Sequence, residues 1–289
     1  MADQAELLRL RIRQQQGKNV AKTVAVISGK GGVGKSNFSL NFSILLSKIG
    51  KRVLLFDMDI GMGNIDILMG NGSERTIVDF FQKGYSLKEV ITNGPAGLSY
   101  ISGGTGLTNL FSMNSRQFDR FVNEFAMIQG EYDYIIFDLG AGISQESSRF
   151  LMCVDEIITI TTPEPTSIMD AYSIIKYLHF QREDIPIFLV CNRVEREKQG
   201  NEVVKKIQST LQRFIGKDII PLGLLPDSKF VSKAVIRHTP FCILNPNADI
   251  SLALHQLTTT YLTHAYENTG TVLMKQSFVS KLKNYFIGR

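Results

Sequence analysis

The sequence predicts an α/β fold: a mainly parallel, twisted sheet covered by helices on both faces, with a short helical appendage at each terminus. Seven short apolar runs recur between residues 23 and 226, namely "TVAVIS", "RVLLFDMD", "LSYIS", "YIIFDL", "EIITIT", "PIFLVC" and "DIIPLGLLP". Helical patterns with apolar residues at three-to-four spacing lie between most of them, at 36–49, 114–128, 167–181 and 201–215. Strands that are apolar throughout belong to a sheet buried on both faces, and the intervening helices supply the crossovers that parallel pairing needs. The chain has 289 residues, 44% of them apolar, enough for one large α/β domain or two small ones.

The first strand, "TVAVIS", runs straight into "GKGGVGKS" at residues 29–36 and then into the helix "NFSLNFSILLSKIG". Gly29, Gly31, Gly32 and Gly34 let the backbone turn its N–H groups, with those of Lys30, Val33 and Asn37, around phosphates. Lys35 supplies a mobile charge for the outer phosphates, and Ser36 a hydroxyl for Mg²⁺. Strand, glycine loop and helix together predict a P-loop NTPase that takes ATP/ADP with Mg²⁺. Two further strands end in acids, which places carboxylates at the carboxyl edge of the sheet. "VLLFDMDIGMGNID" delivers Asp57 and Asp59, and "YIIFDLGAG" delivers Asp138 followed by Gly140 and Gly142. One acid would stand on the metal side and one on the side of the attacking water. "PIFLVCNR" ends in Asn192, whose amide both donates and accepts at a base edge. Asn192-Arg193-Val194-Glu195 only loosely echoes a guanine-selecting Asn-Lys-x-Asp, so ATP is favoured over GTP. After Pro226 the pattern is helical, in "SKFVSKAVIRH" and "ISLALHQLTTTYLTHAYE".

Charge is divided unevenly. The formal net charge is +5, with +3 in residues 1–22 and +4 in 271–289, leaving −2 for the body. That argues against a wholly basic nucleic-acid-binding domain and for two attachment segments. No apolar run approaches the roughly 18 residues that span a bilayer. "MADQAELLRLRIRQQQ" lacks the apolar centre of a secretory signal, so a cytoplasmic protein is expected. Cys153, Cys191 and Cys242 are widely spaced and read as buried, reduced thiols. In the tail, Phe278, Leu282, Tyr285 and Phe286 fall on one helical stripe, with Val279 beside it and Lys275, Lys281 and Lys283 flanking it. Such a helix suits either a lipid interface or packing on the body, and the absence of acids and the hinge-like "NTG" favour lipid.

With Lys30 directly before the glycine pair, the loop resembles the deviant Walker A loop of the MinD/ParA ATPases, over about residues 23–268, and "DMDIGMGNIDILMG" is especially close to the MinD pattern. The resemblance implies that Lys30 reaches the phosphates bound by a second subunit, that the homodimer forms on ATP, and that Asp59 orients the hydrolytic water. It further implies that Asp138 holds Mg²⁺, with Asp57 supporting the metal. Gly61 and Asn64 would belong to a first switch and Gly140 and Gly142 to a second. Asn192 would read adenine, with Arg193, Pro226 and Asp227 near the same ring. Cluster cysteines and a terminal tyrosine cluster, marks of other branches, are missing from the expected places. Asp3-Gln4-Ala5, followed by Leu8-Arg9, matches the DQAxxLR arm of the FlhG (YlxH, FleN) branch, which regulates flagellar number and placement. In that branch the arm activates FlhF, a signal-recognition-type GTPase, and flagellar basal-body switch proteins become further expected partners. MinD also carries an amphipathic membrane tail. The expected organisation is therefore a partner-activating arm at 1–22, an ATPase domain at 23–270, and a membrane helix at 271–289 that binds anionic lipid through Phe278, Val279, Lys281, Leu282, Lys283, Tyr285 and Phe286. A MinD-type division-site regulator and a ParA-type DNA-partitioning ATPase are the competing expectations.

Overall fold

The computed structural model describes residues 20–59, 65–70, 72–104, 114–142, 145–267 and 276–287. Eight strands form one sheet: β1 (Lys22–Ile27), β2 (Val53–Asp57), β3 (Thr92–Asn93), β4 (Ser99–Ile101), β5 (Tyr134–Asp138), β6 (Glu156–Thr161), β7 (Ile187–Val194) and β8 (Ile220–Pro226). Their spatial order is β3-β4-β2-β5-β1-β6-β7-β8. Every pairing is parallel except β3 with β4. The seven apolar runs all become strands. β3 has two residues, too few for a periodic signal.

Period-two alternation divides the strand residues between two cores. Ala25, Ile27, Leu54, Phe56, Ile135 and Phe137 face one side, and Val24, Val26, Val53, Leu55, Tyr134 and Ile136 face the other. The helices are α1 (Lys35–Lys48), α2 (Ile65–Met69), α3 (Ile77–Lys83), α4 (Ser115–Gln129), α5 (Gln145–Leu151), α6 (Pro165–Gln181), α7 (Glu197–Ile215), α8 (Lys229–Ile236), α9 (Phe241–Leu244), α10 (Asp249–Glu267) and α11 (Phe278–Ile287). Residues of α3 to α7 and α11 cover the first core, and those of α1, α2 and α8 to α10 cover the second. The short α2 and α3 lie where the sequence pattern shows no clear helical period. α3 begins with a capping box, Thr76 with Asp79, which stabilises a helix too short to persist alone.

The C-terminal helix departs from expectation. Rather than standing apart as an appendage, α11 is part of the first core: Phe278, Val279 and Leu282 are almost wholly buried. The Phe278 ring lies 5.1 Å from Phe125, 5.4 Å from Phe137 and 5.2 Å from Phe150, centroid to centroid. Lys281, read from the sequence as a headgroup contact, ion-pairs with Asp155 at 3.2 Å. Phe278, from the stripe that suits lipid, fits an aromatic groove between α4, β5 and α5, because both environments reward the removal of apolar rings from water. In this structure the groove has it.

Candidate nucleotide site

β1 has β5 on one side and β6 on the other, so the loop that follows it opens at the carboxyl edge in the middle of the sheet. The loop turns through Gly32 at φ 76° and Gly34 at φ 92°, where a side chain would be strained. A Cβ on Gly34 would also lie 2.4 Å from the Asn192 amide nitrogen, and one on Gly29 2.4 Å from the Asp170 Cβ. The loop is thus pressed between the end of β7 and the first turns of α6. At its far end α1 begins with neither an acid in the first turn nor a side-chain cap on its N–H groups. Those free donors and the positive end of the helix dipole face the loop, a setting for an anion.

The strand register carries the acids to this loop. Asp57 and Asp138 are paired residues of β2 and β5, and Val26 of β1 pairs with Asp138 on its other side. Lys35 Nζ donates to Asp138 Oδ1 at 2.8 Å and lies 3.5 Å from Ser36 Oγ. Ser39 Oγ donates to the same Asp138 oxygen at 2.9 Å. Asp138 is fully buried, and its Oδ2 has no hydrogen-bond partner. Asp57 Oδ1 accepts the N–H of Asp59 at 3.0 Å, and its Oδ2 accepts that of Ile65 at 3.4 Å. Burial, and then the facing Asp138 charge, push the Asp57 carboxyl up to about 7. Asp59 is half-buried, and desolvation raises its pKa while Lys35 opposes the rise. A Cβ on Gly140 would sit 3.3 Å from Asp59 Oδ1, so the ends of β2 and β5 meet at this carboxylate.

An orphaned buried carboxylate oxygen, a nearby serine hydroxyl and a second buried acid suit a hard cation. Among the described residues no group of three or more His, Cys, Asp or Glu side chains can hold a metal. Mg²⁺ held by Ser36 and Asp138, with Asp57 behind, would therefore be completed by phosphate and water oxygens. Asn192 donates from Nδ2 to the Val33 carbonyl at 2.7 Å, which puts its amide against the loop. Arg193 adopts φ 56°, an uncommon conformation for a side-chain-bearing residue. Asp227 N–H donates to the Val194 carbonyl at 3.1 Å, and Val194 pairs with Pro226. Asn192, Arg193, Pro226 and Asp227 thus gather at the ends of β7 and β8.

Lys30 Nζ lies 2.6 Å from Glu164 Oε2 and 3.4 Å from Thr166 Oγ1. Glu164, Thr166, Asp170 and Ser39 are site neighbours that sequence reasoning passed over. "TPEPTS" after β6 offered a signal, a strand end followed by a proline at the first helical turn. Gly61 and Asn64, the arm residues Asp3, Gln4, Ala5, Leu8 and Arg9, and the side chains of Tyr285 and Phe286 lie outside the described residues.

A central β-strand, glycine loop and helix, with a buried lysine and two buried strand-end acids around them, define a P-loop nucleotide-binding protein. The chain belongs to the CobQ/CobB/MinD/ParA nucleotide-binding domain family, whose model matches residues 24–241. It is 29% identical over 242 residues to the antiactivator FleN of Pseudomonas aeruginosa, covering 84% of this chain and 86% of that protein. It is 32% identical over 242 residues to the flagellum site-determining protein YlxH of Helicobacter pylori, covering 83% and 81%. Its fold matches that of the septum site-determining protein MinD of Pyrococcus horikoshii, complexed with Mg-ADP, with a TM-score of 0.68 at 18% identity, over 88% of this chain and all of that one.

Proposed function

We propose that this chain is an ATP-dependent, dimerising ATPase switch that regulates the number and placement of flagella. The convergence of Lys35, Ser36, Asp57, Asp59 and Asp138 on the glycine loop that also contains Lys30 carries the reading. Similarity to FleN and YlxH supports the flagellar assignment. The chain's own groups divide the work. Lys35 and the helix N-terminus hold phosphates, Asp59 orients the attacking water, and Lys30 reaches the phosphates held by a second copy. Bound Mg²⁺ would neutralise charge on the transferring phosphoryl group. The reading predicts slow, Mg²⁺-dependent hydrolysis.

Output passes through the two ends. The arm at 1–22 stimulates an FlhF-type GTPase, and the tail at 271–289 binds the inner leaflet of the cell membrane reversibly. Since α11 is docked on the body, lipid binding requires its release, and α5, which supplies Phe150 to the groove, begins just beyond the Gly140-Ala141-Gly142 switch. Nucleotide state would therefore reach the tail through a short stretch of chain and one ring contact, Phe150 on Phe278. A single amphipathic tail gives marginal, reversible binding, and two tails on one dimer gain on the order of 10²–10⁴ in avidity.

Asp59→Ala should trap an ATP-bound dimer that sediments with liposomes containing anionic lipid, and removal of residues 272–289 should abolish the sedimentation while sparing ATP binding. Equal monomer and dimer populations of Asp59→Ala with and without ATP would refute the switch. A peptide of residues 1–16 should raise the GTPase rate of FlhF. No stimulation would leave the ATPase reading intact and remove the flagellar one.

A further inference from the structure

We infer that Glu164 is a positioning residue for Lys30: it holds the lysine within its own subunit and so sets the nucleotide threshold at which two copies associate. Lys30 Nζ donates to Glu164 Oε2 at 2.6 Å, and Thr166 Oγ1 lies behind it at 3.4 Å. The backbone on both sides of this contact is tied down. Ser28 Oγ donates to the Lys30 carbonyl at 3.0 Å. Across the β6–α6 turn, Thr162 N–H donates to Ser167 Oγ at 3.0 Å, and Thr161 Oγ1 lies 3.1 Å from the same hydroxyl. Gly29 abuts Asp170 with no room for a Cβ. The two side chains therefore meet across a fixed gap.

Among the described residues Glu164 makes no other side-chain hydrogen bond. It occupies the N-cap position of α6 without capping the helix by its side chain, and the Lys30 hydrogen bond holds its carboxyl below the usual range. The inference rests on the reading that Lys30 acts on the phosphates of a second copy. Before it does so, the lysine must leave Glu164. Arg193, whose charge also reaches Glu164, remains as that acid's neighbour after the exchange. Exposed ion pairs are weak, so the effect per lysine is a few-fold. A two-fold symmetric dimer makes the exchange twice, which compounds to roughly tenfold in the association equilibrium.

The test measures association of the full chain by sedimentation velocity against concentration of a non-hydrolysable ATP analogue, for wild type, Glu164→Gln and Lys30→Ala, with melting temperatures in parallel. Because each dimer takes up two nucleotides, Glu164→Gln should dimerise at an analogue concentration about threefold lower, the square root of the tenfold gain in association, and Lys30→Ala should stay monomeric. A folding defect would impair association, so a gain cannot arise from damage. If Lys30→Ala is monomeric but Glu164→Gln associates like wild type or more weakly, the inference is overturned and the trans role of Lys30 stands. If Lys30→Ala dimerises like wild type, the trans role fails, and the inference with it.

Discussion

Replacing Phe278 by alanine separates two descriptions of the C-terminal helix. The ring is 1% exposed and contacts three other rings, so truncation at a site of this kind costs about 3–5 kcal/mol. If α11 is an integral part of the cooperative core, that whole cost appears in global stability, and for a domain of this size it lowers the melting temperature by roughly 5–8 °C. If α11 is a detachable element, the loss in global stability cannot exceed the free energy of docking, because beyond that point the helix simply leaves. Even 3 kcal/mol shifts the docking equilibrium by about 10²-fold. The assay is amide hydrogen exchange by mass spectrometry, with thermal melts alongside. Amides of 278–287 should lose protection by about two orders of magnitude, while those of β1 and β6 keep theirs. Equal loss of protection in α11 and the sheet, with the full fall in melting temperature, would refute detachment. Phe150→Ala, which leaves the tail's own sequence intact, should raise nucleotide-free liposome binding several-fold.

The Asp57 carboxyl supplies a pH prediction. Burial and Asp138 raise it to about 7 from an ordinary value of 3.8, so between those limits the native state holds a proton the unfolded chain has lost. Its contribution to stability is therefore complete below about pH 4 and is lost as pH rises to 7, with a slope of up to about 1.4 kcal/mol per unit. Asp57→Asn should flatten that slope in urea unfolding of metal-free protein, and an unchanged slope would assign the titration elsewhere. Gly34→Ala combines a backbone at φ 92° with a 2.4 Å approach to the Asn192 amide. It should cost at least about 1–3 kcal/mol and reduce fluorescent-ATP affinity at least tenfold, and normal affinity would mean the loop has another conformation. Asn192→Ala removes the 2.7 Å bond to the Val33 carbonyl and should weaken nucleotide binding several-fold through the loop itself, which titration with ATP and with inorganic triphosphate would both report.

Much of this architecture is local in origin and therefore legible in sequence. Apolar runs buried on both faces marked the strands of β1, β2 and β4 to β8, and the position of each acid at a strand's end put Asp57, Asp59 and Asp138 at one edge before any pairing was known. The register that makes Asp57 and Asp138 partners depends on β5 inserting between β2 and β1, a long-range choice no local pattern encodes. The Lys30–Glu164 pair is hidden for the same reason, since 134 residues separate its members. The tail shows a different limit. Its stripe specifies an apolar surrounding without saying which one, so Phe278 reads from sequence as a lipid anchor although the same ring also serves as the cover of Phe125, Phe137 and Phe150.

That ambiguity puts the tail under two unlike requirements. An aromatic groove reads shape, rewarding a flat ring at a fixed separation from three others, whereas a bilayer interface reads little beyond apolarity and size. On the proposed function, Phe278 answers to both, and a change such as Phe278→Leu tells them apart: lipid accepts it nearly unaltered, while the groove loses its ring contacts. The range of side chains acceptable here is then narrower than either environment alone would impose. Drift toward merely greasy residues would leave the anchor working but always deployed, so retention of the switch, more than retention of membrane affinity, is what favours a ring at this position.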